Sequence, residues 1–574
     1  MLWSGIGPSG VRPMSAAGEQ ADLVLTGGTV FTSVSSRPRA RAVAVRDGRI
    51  VAVGDESDVG AHVAPGTDIV DLKERMLLPG FQDAHAHPAS GGLDRLRCDL
   101  SELHSAADYA ERIRAYAQGH PEAEWILGGG WAMDVFPGGT PSAADLDRVV
   151  PDRPVFLSNR DNHGAWVNSR ALELAGVTSS TPDPVDGRVE RNERGDPTGT
   201  LHEGAMLLVR RLIPEASVEE RERGILVAQE YLHSLGITAW QDAIIGKYAT
   251  MPDAYDPYVS LATRGELTAR VEGALWLERG RGLEQVDELL DRRARGDVGR
   301  FRANTVKIMQ DGVCENFTAA VLEPYLDPSG TPTDNTGISF FDPEELGPMV
   351  IRLDREGFQV HFHAIGERAV RGALDALETA LRANGANDNR HHIAHIQVVH
   401  PQDVPRFARL GATANAQPLW ASNESQMVDL TIPFLGRERS GWQYPFGGLA
   451  RSGARLAIGS DWPVSSPNPL WEIHVAVNRT VFPAYPYADD ERSLTEPFLP
   501  DERLDLATAI TAFTLGSAFV NHLDDVTGSI AVGKFADLVV LDRDLFAERP
   551  EHIAEAEPLL TLVEGQKVFE APGL

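Results

Sequence analysis

The run Leu78-Pro79-Gly80-Phe81-Gln82-Asp83-Ala84-His85-Ala86-His87-Pro88 sets two histidines two residues apart at the end of a short apolar segment. In a strand, residues i and i+2 share a face, so His85 and His87 project together. Two imidazoles on one face can grip one divalent ion, and imidazole suits zinc and other late first-row metals. Pro79-Gly80 ends one element and turns the chain into the next. A lone His-x-His pair is equally compatible with a structural role, so the rest of the chain decides.

The chain has 574 residues, which favours a large barrel plus a second domain over one ordinary domain. An apolar share of 42% is enough for sizeable cores. The formal net charge of -30 repels nucleic acid and anionic membranes, which excludes both as partners and keeps the protein soluble. Two cysteines, Cys98 and Cys314, give no disulfide framework and fit a reducing cytoplasm. No apolar run reaches transmembrane length. Residues 1–20 are rich in Gly, Ser and Pro, lack the pattern of a signal peptide and are expected to form a disordered tail.

Both ends of the chain are strand-rich. Arg41–Val53 holds two β-branched runs around Asp47-Gly48, a hairpin signature. Ala21–Phe31, Gly528–Leu541 and Leu559–Phe569 add further short strands. The economical arrangement is one small β-sandwich assembled from both termini, over residues 21–80 and 524–574. Two separate β segments would leave exposed edges.

Residues 81–523 alternate strand-like runs with helical ones. The strand candidates are Phe81–His87, Thr238–Asp242, Asn304–Met309, Gln359–His363, His392–His395, Ala412–Gln417 and Arg455–Asp461. Repeated β-then-α units argue for a parallel sheet, and this many argue for a (β/α)8 TIM barrel in the α/β class. Barrel enzymes carry their chemistry at the C-terminal strand ends. Those ends hold His85, His87, Lys307, His363, His395 and Asp461. Residues 125–214 break the repeat and are expected to form an insertion over the barrel mouth. His163 lies within it and is a candidate for orienting substrate.

These motifs resemble the amidohydrolase superfamily, and more narrowly the amidohydrolase-3 branch that includes N-substituted formamide deformylases. The resemblance rests on Pro79–His87, Val306-Lys307-Ile308-Met309-Gln310-Asp311-Gly312, His363-Ala364-Ile365-Gly366-Glu367, Ile393-Ala394-His395 and Gly459-Ser460-Asp461-Trp462-Pro463-Val464. Asn162-His163-Gly164-Ala165-Trp166-Val167-Asn168 in the insertion matches as well. Two positions depart from the usual pattern. Glu367 stands where Asp is common, and Ala394 precedes His395 where Glu is common, which bears on the surroundings of His395.

The resemblance implies a metal-dependent hydrolase of non-peptide C–N bonds, with an N-substituted formamide or related acyl amide as substrate. It implies His85, His87, Lys307, His363, His395 and Asp461 as ligands of one or two zinc ions. An ammonium cannot ligate a cation, so Lys307 is expected as a carbamate formed with carbon dioxide; the other possibility is a plain salt bridge with Asp311. His361 shares the strand face of His363 and competes with it as a ligand, although the motif favours His363. Metal lowers the pKa of bound water from 15.7 towards about 7. Asp461 would take the proton from the attacking water and pass it to the leaving nitrogen. Trp131, Gln417 and Trp420 are candidates for the pocket wall, and core packing explains tryptophans equally well. The alternatives are a mononuclear deaminase, a cyclic-amide hydrolase, or a non-catalytic scaffold; the complete ligand set counts against the last. A homodimer is the expectation at family level.

Overall fold

Eight strands follow one another around a single parallel sheet: β1 Phe81–Ala86, β2 Ile237–Ile245, β3 Arg270–Trp276, β4 Phe301–Met309, β5 Gln359–Ala364, β6 His392–His395, β7 Thr413–Ala416 and β8 Leu456–Ile458. The coordinates are a computed structural model, which describes residues 20–248, 251–488 and 491–572. The tail expected over residues 1–20 lies outside the described residues apart from Gln20. Each strand pairs in parallel with the next. Apart from the first turn of β4, the strands are buried along their whole length, as a sheet covered on both faces requires. The outer cover is helical. Glu367–Asn384, for example, buries Val370, Ala373, Leu374 and Leu377, the i, i+3, i+4, i+7 stripe of an amphipathic helix.

Closure occurs beside the histidine pair. Asp461 N–H donates to the His85 carbonyl at 2.7 Å, and His87 N–H donates to the Trp462 carbonyl at 2.7 Å. Gly459 is required there, because a Cβ would sit 2.5 Å from the backbone nitrogen of His85.

Seven of the eight strands coincide with the runs read from sequence. The remaining strand, β3, is interrupted in sequence by Glu272 and Gly273, so it lacks a continuous apolar pattern. Structure explains both residues. A Cβ on Gly273 would come within 2.9 Å of the Phe301 ring. Glu272 is buried and accepts from Asn304 N–H at 2.7 Å and the Thr305 hydroxyl at 3.3 Å.

Both chain ends share one β-sandwich. One sheet runs Arg49–Gly54, Ala42–Arg46, Leu23–Thr26, Asp68–Asp71. The other interleaves the termini, with Leu538–Leu541 pairing antiparallel to Met76–Pro79 in its centre. Leu25, Val43, Leu77, Leu538 and Leu562 meet in a common core. The Asp47-Gly48 hairpin has φ of 47° and 74°, the left-handed pair that a type I′ turn needs. Sandwich and barrel are tied by Arg270 of β3, which pairs with Asp537 and Glu564.

The insertion carries its own six-stranded sheet, from Cys98–Asp99 to Pro197–Glu203. It therefore begins well before residue 125. The first strand is only two residues long, too short to leave a sequence signal. Among the described residues, no helix is long and apolar enough to cross a membrane.

Candidate metal centre

The end of β1 and the chain beyond β8 meet at three potential ligand atoms. Asp461 Oδ1 lies 2.9 Å from His87 Nε2 and 3.0 Å from His85 Nε2. The first contact has hydrogen-bond geometry; the second does not, so His85 Nε2 is buried without a hydrogen-bond partner. All three side chains are buried, and their ligand atoms lie within 4.8 Å of one another. A tetrahedral ion with bonds of about 2.0–2.1 Å has ligand–ligand edges of about 3.3 Å. This donor set, with its orphaned nitrogen, fits such an ion.

Asp83 makes the arrangement rigid. It sits two residues before His85 on the same face and accepts His85 N–H at 3.0 Å, Ser460 N–H at 3.1 Å and the Ser460 hydroxyl at 2.6 Å. One carboxylate thus clamps β1 to the segment that presents Asp461. Asp83 lies inside the His85 motif, but its partner Ser460 is 377 residues away, so its role leaves no local sequence signal.

Lys307, His363 and His395 line the same cavity as His85, His87 and Asp461. All six expected ligand residues are therefore brought together. His363 Nε2 donates to the Gly312 carbonyl at 3.2 Å, which leaves Nδ1 as its available ligand atom. The His395 ring lies 4.4 Å from that of His363 and 4.7 Å from that of His85. His395 and Asp461 hold left-handed backbone, φ 75° and 57°, which non-glycine residues adopt only when their surroundings over-determine it. Burial keeps His85, His363 and His395 well below the usual histidine range, helped by Lys307 beside His85 and His363 and by His363 beside His395, so they are neutral, the ligating form.

Lys307 forms no ion pair among the described residues, and the salt bridge with Asp311 is absent. Asp311 instead accepts three backbone N–H groups, from Ala320, Ile365 and Gly366. Burial pulls the Lys307 ammonium down to about 7, against the attraction of Asp461. At neutral pH a large share of it is a free amine.

The insertion supplies the opposite wall. His163 lines the cavity, and its ring lies 6.0 Å from that of His363. Its Nδ1 is 2.8 Å from Glu203 Oε1, a carboxylate that also accepts from Thr318 at 3.3 Å and Asn316 at 3.4 Å. Burial disfavours the imidazolium, but the Glu203 charge and hydrogen bond, with the Asp161 charge, together outweigh it and lift His163 to about 9. Glu203 itself has φ 50°. Forty residues separate the pair, so no local pattern could announce it.

Of the expected wall residues, only Trp420 is on the cavity, stacked on His395 at 5.2 Å with rings 7° from parallel. Trp131 is corrected to a core residue of the insertion. It is fully buried, donates to the Leu157 carbonyl at 2.9 Å and packs edge-on against Phe136 and Trp166. Gln417 is corrected to a supporting position, since it is fully buried and accepts His395 N–H at 2.8 Å. Glu367 accepts Leu322 N–H at 3.0 Å, away from the ligand atoms. His361 stands behind His85 and, unlike His363 and His395, does not line the cavity.

Comparison with known proteins agrees with this architecture. Over 564 residues the chain is 35% identical to Protein LONG AFTER FAR-RED 3 of Arabidopsis thaliana, covering 96% of this chain and 92% of that protein. It is 27% identical to the N-substituted formamide deformylase of Arthrobacter pascens, covering 97% and 99%. An uncharacterized metal-dependent hydrolase from Pyrococcus furiosus superposes with a TM-score of 0.68 at 28% identity, over 92% of this chain and 99% of that one. Residues 68–569 match the amidohydrolase family, and the chain belongs to its amidohydrolase-3 branch.

Proposed function

We propose that this protein hydrolyses the C–N bond of an N-substituted formamide or a closely related acyl amide. The observation that carries the proposal is the convergence of His85, His87 and Asp461 in one buried cavity that Lys307 also lines. The full-length similarity to a formamide deformylase supports the substrate class. His85, His87, His363, His395 and Asp461 would hold a divalent ion such as zinc, which would supply Lewis acidity and a water acidic enough to attack at neutral pH.

The remaining chemistry belongs to this chain. The Lys307 amine would add to carbon dioxide: an N–C bond forms, one C=O π bond opens onto oxygen, and an N–H proton leaves to solvent, giving an anionic carbamate that could ligate a cation where an ammonium cannot. Asp461 takes the proton from the attacking water and returns it to the departing nitrogen. His163, held by Glu203, offers a positively charged N–H to the carbonyl oxygen where negative charge develops. Ile244, Val313 and Ile365 with Trp420 give an apolar lining for the N-substituent. Lys307 in the cavity favours this reading over a mononuclear deaminase.

The test is a panel of formamides, longer acyl amides, cyclic amides and amino-heterocycles, given to zinc-loaded protein with separate detection of amine and ammonia. Amine release from formamides with the highest kcat/KM is expected. Ammonia release from amino-heterocycles, without amide cleavage, would contradict the proposal.

A further inference from the structure

His85 and His361 are both fully buried, and His85 Nδ1 lies 2.7 Å from His361 Nε2. A single proton lies between them. When His85 presents Nε2 to a metal, that nitrogen is bare and the ring proton sits on Nδ1. His85 then donates, and His361 Nε2 accepts. The opposite assignment would put the His85 proton on Nε2 and remove its ligand lone pair.

The surroundings leave His361 free to take the accepting tautomer. His392, whose ring is 4.0 Å from that of His361, is itself fixed from both sides. Its Nε2 lies 3.1 Å from Gln241 Oε1, and its Nδ1 lies 3.2 Å from Asn415 Nδ2. The amides are oriented by their other bonds: Gln241 donates to Gln359 Oε1 at 3.0 Å, and Asn415 donates to the Ala84 carbonyl at 2.9 Å. His392 therefore has no proton to give His361, and the Nδ1–H that the accepting tautomer carries has no hydrogen-bond partner, so it is a ligand on His85 Nε2, driving the His85 proton onto Nδ1, that makes His361 accept. Metal-bound histidines usually donate their second N–H to a carboxylate, a backbone carbonyl or water. In this site His363 follows that rule through Gly312. His85 meets another imidazole.

We propose that His361 is a positioning residue for the metal centre: as a buried imidazole acceptor, it holds His85 in the one tautomer and ring orientation that present Nε2 beside His87 and Asp461. An accepting imidazole is uncharged, so His85 is oriented without a carboxylate's negative charge behind it. The site keeps more of the ion's charge for polarising substrate than a carboxylate-backed histidine would leave. The proposal rests on His85 being a metal ligand.

The experiment is a zinc affinity measured by competition with a chelator on the full chain, alongside thermal unfolding of the metal-free protein. His361→Leu and His361→Asn remove the acceptor or withdraw it from reach, and His361→Gln restores an acceptor oxygen. The expected result is a loss of about ten- to a hundredfold in zinc affinity for Leu and Asn, with Gln recovering most of it. Metal-free melting of Gln and Asn should be alike, which separates positioning from general destabilisation. Wild-type affinity in Asn or Leu, or a Gln variant as weak as Asn, would overturn the role. His85→Ala is the control: if it binds zinc as tightly as wild type, the ligand assignment itself fails and the His361 role with it.

Discussion

At the scale of single residues, Asp461 carries the most chemistry. Its carboxylate touches both histidines of the His85-Ala86-His87 pair, and its strained backbone is held by closure of the barrel. Asp461→Asn keeps the size and one ligating oxygen but removes the base. Metal content should change little while kcat falls about a hundredfold or more, with KM less affected, because proton transfer is felt in the transition state. Stopped assays paired with elemental analysis of the same sample check this; near-native turnover with metal intact would assign the base elsewhere, with His163 next to test. The ligand candidates were legible because strand alternation and strand-end position can be read from a chain. Asp83, Glu203 and the true positions of Trp131 and Gln417 were not, since each depends on a partner far away in sequence. An indole in a core and an indole on a pocket wall look alike until the packing is known.

At the scale of elements, β3 shows why one strand escaped notice. Its Glu272 is a cost accepted inside the barrel wall, with the carboxyl raised by burial from 4.5 to about 7. A carboxyl raised in the folded state is protonated there at pH values where the unfolded chain has already ionised. The penalty is therefore absent below pH 4.5, grows as pH rises, and is complete above about pH 7. Glu272→Gln keeps the oxygen that accepts from Asn304 and Thr305 and removes the ionisation. It should be close to neutral at pH 4.5 and stabilising by on the order of 3 kcal/mol at pH 8. Denaturant titrations at the two pH values measure the difference; equal effects at both would show that Glu272 ionises normally. The helix Glu367–Asn384 is legible because its apolar period is uninterrupted.

At the scale of the whole molecule, the barrel is joined to a sandwich whose strands come from residues more than 450 apart, such as Leu78 opposite Val539. Its existence was legible from two strand-rich ends that each lacked a partner. The Arg270 junction was not, because charged residues at such distances carry no register in sequence. Asp537→Ala would leave the Arg270 guanidinium, 8% exposed, short of one of its two counter-charges. Because the Glu564 carboxylate still pairs with Arg270, a loss of about 1–3 kcal/mol is expected, below the scale for an uncompensated buried charge, read as a lower denaturant midpoint. Asp537→Ala with unchanged stability would mean that the junction contributes little. The claim on which all else depends is that a metal in the His85–His87–Asp461 cavity drives amide hydrolysis. The direct measurement is metal content against amide turnover in protein purified without chelator, then stripped, then reloaded. About one to two zinc-like ions per chain are predicted, with turnover lost on stripping and restored on reloading. Amide hydrolysis that persists in metal-free protein would contradict the account.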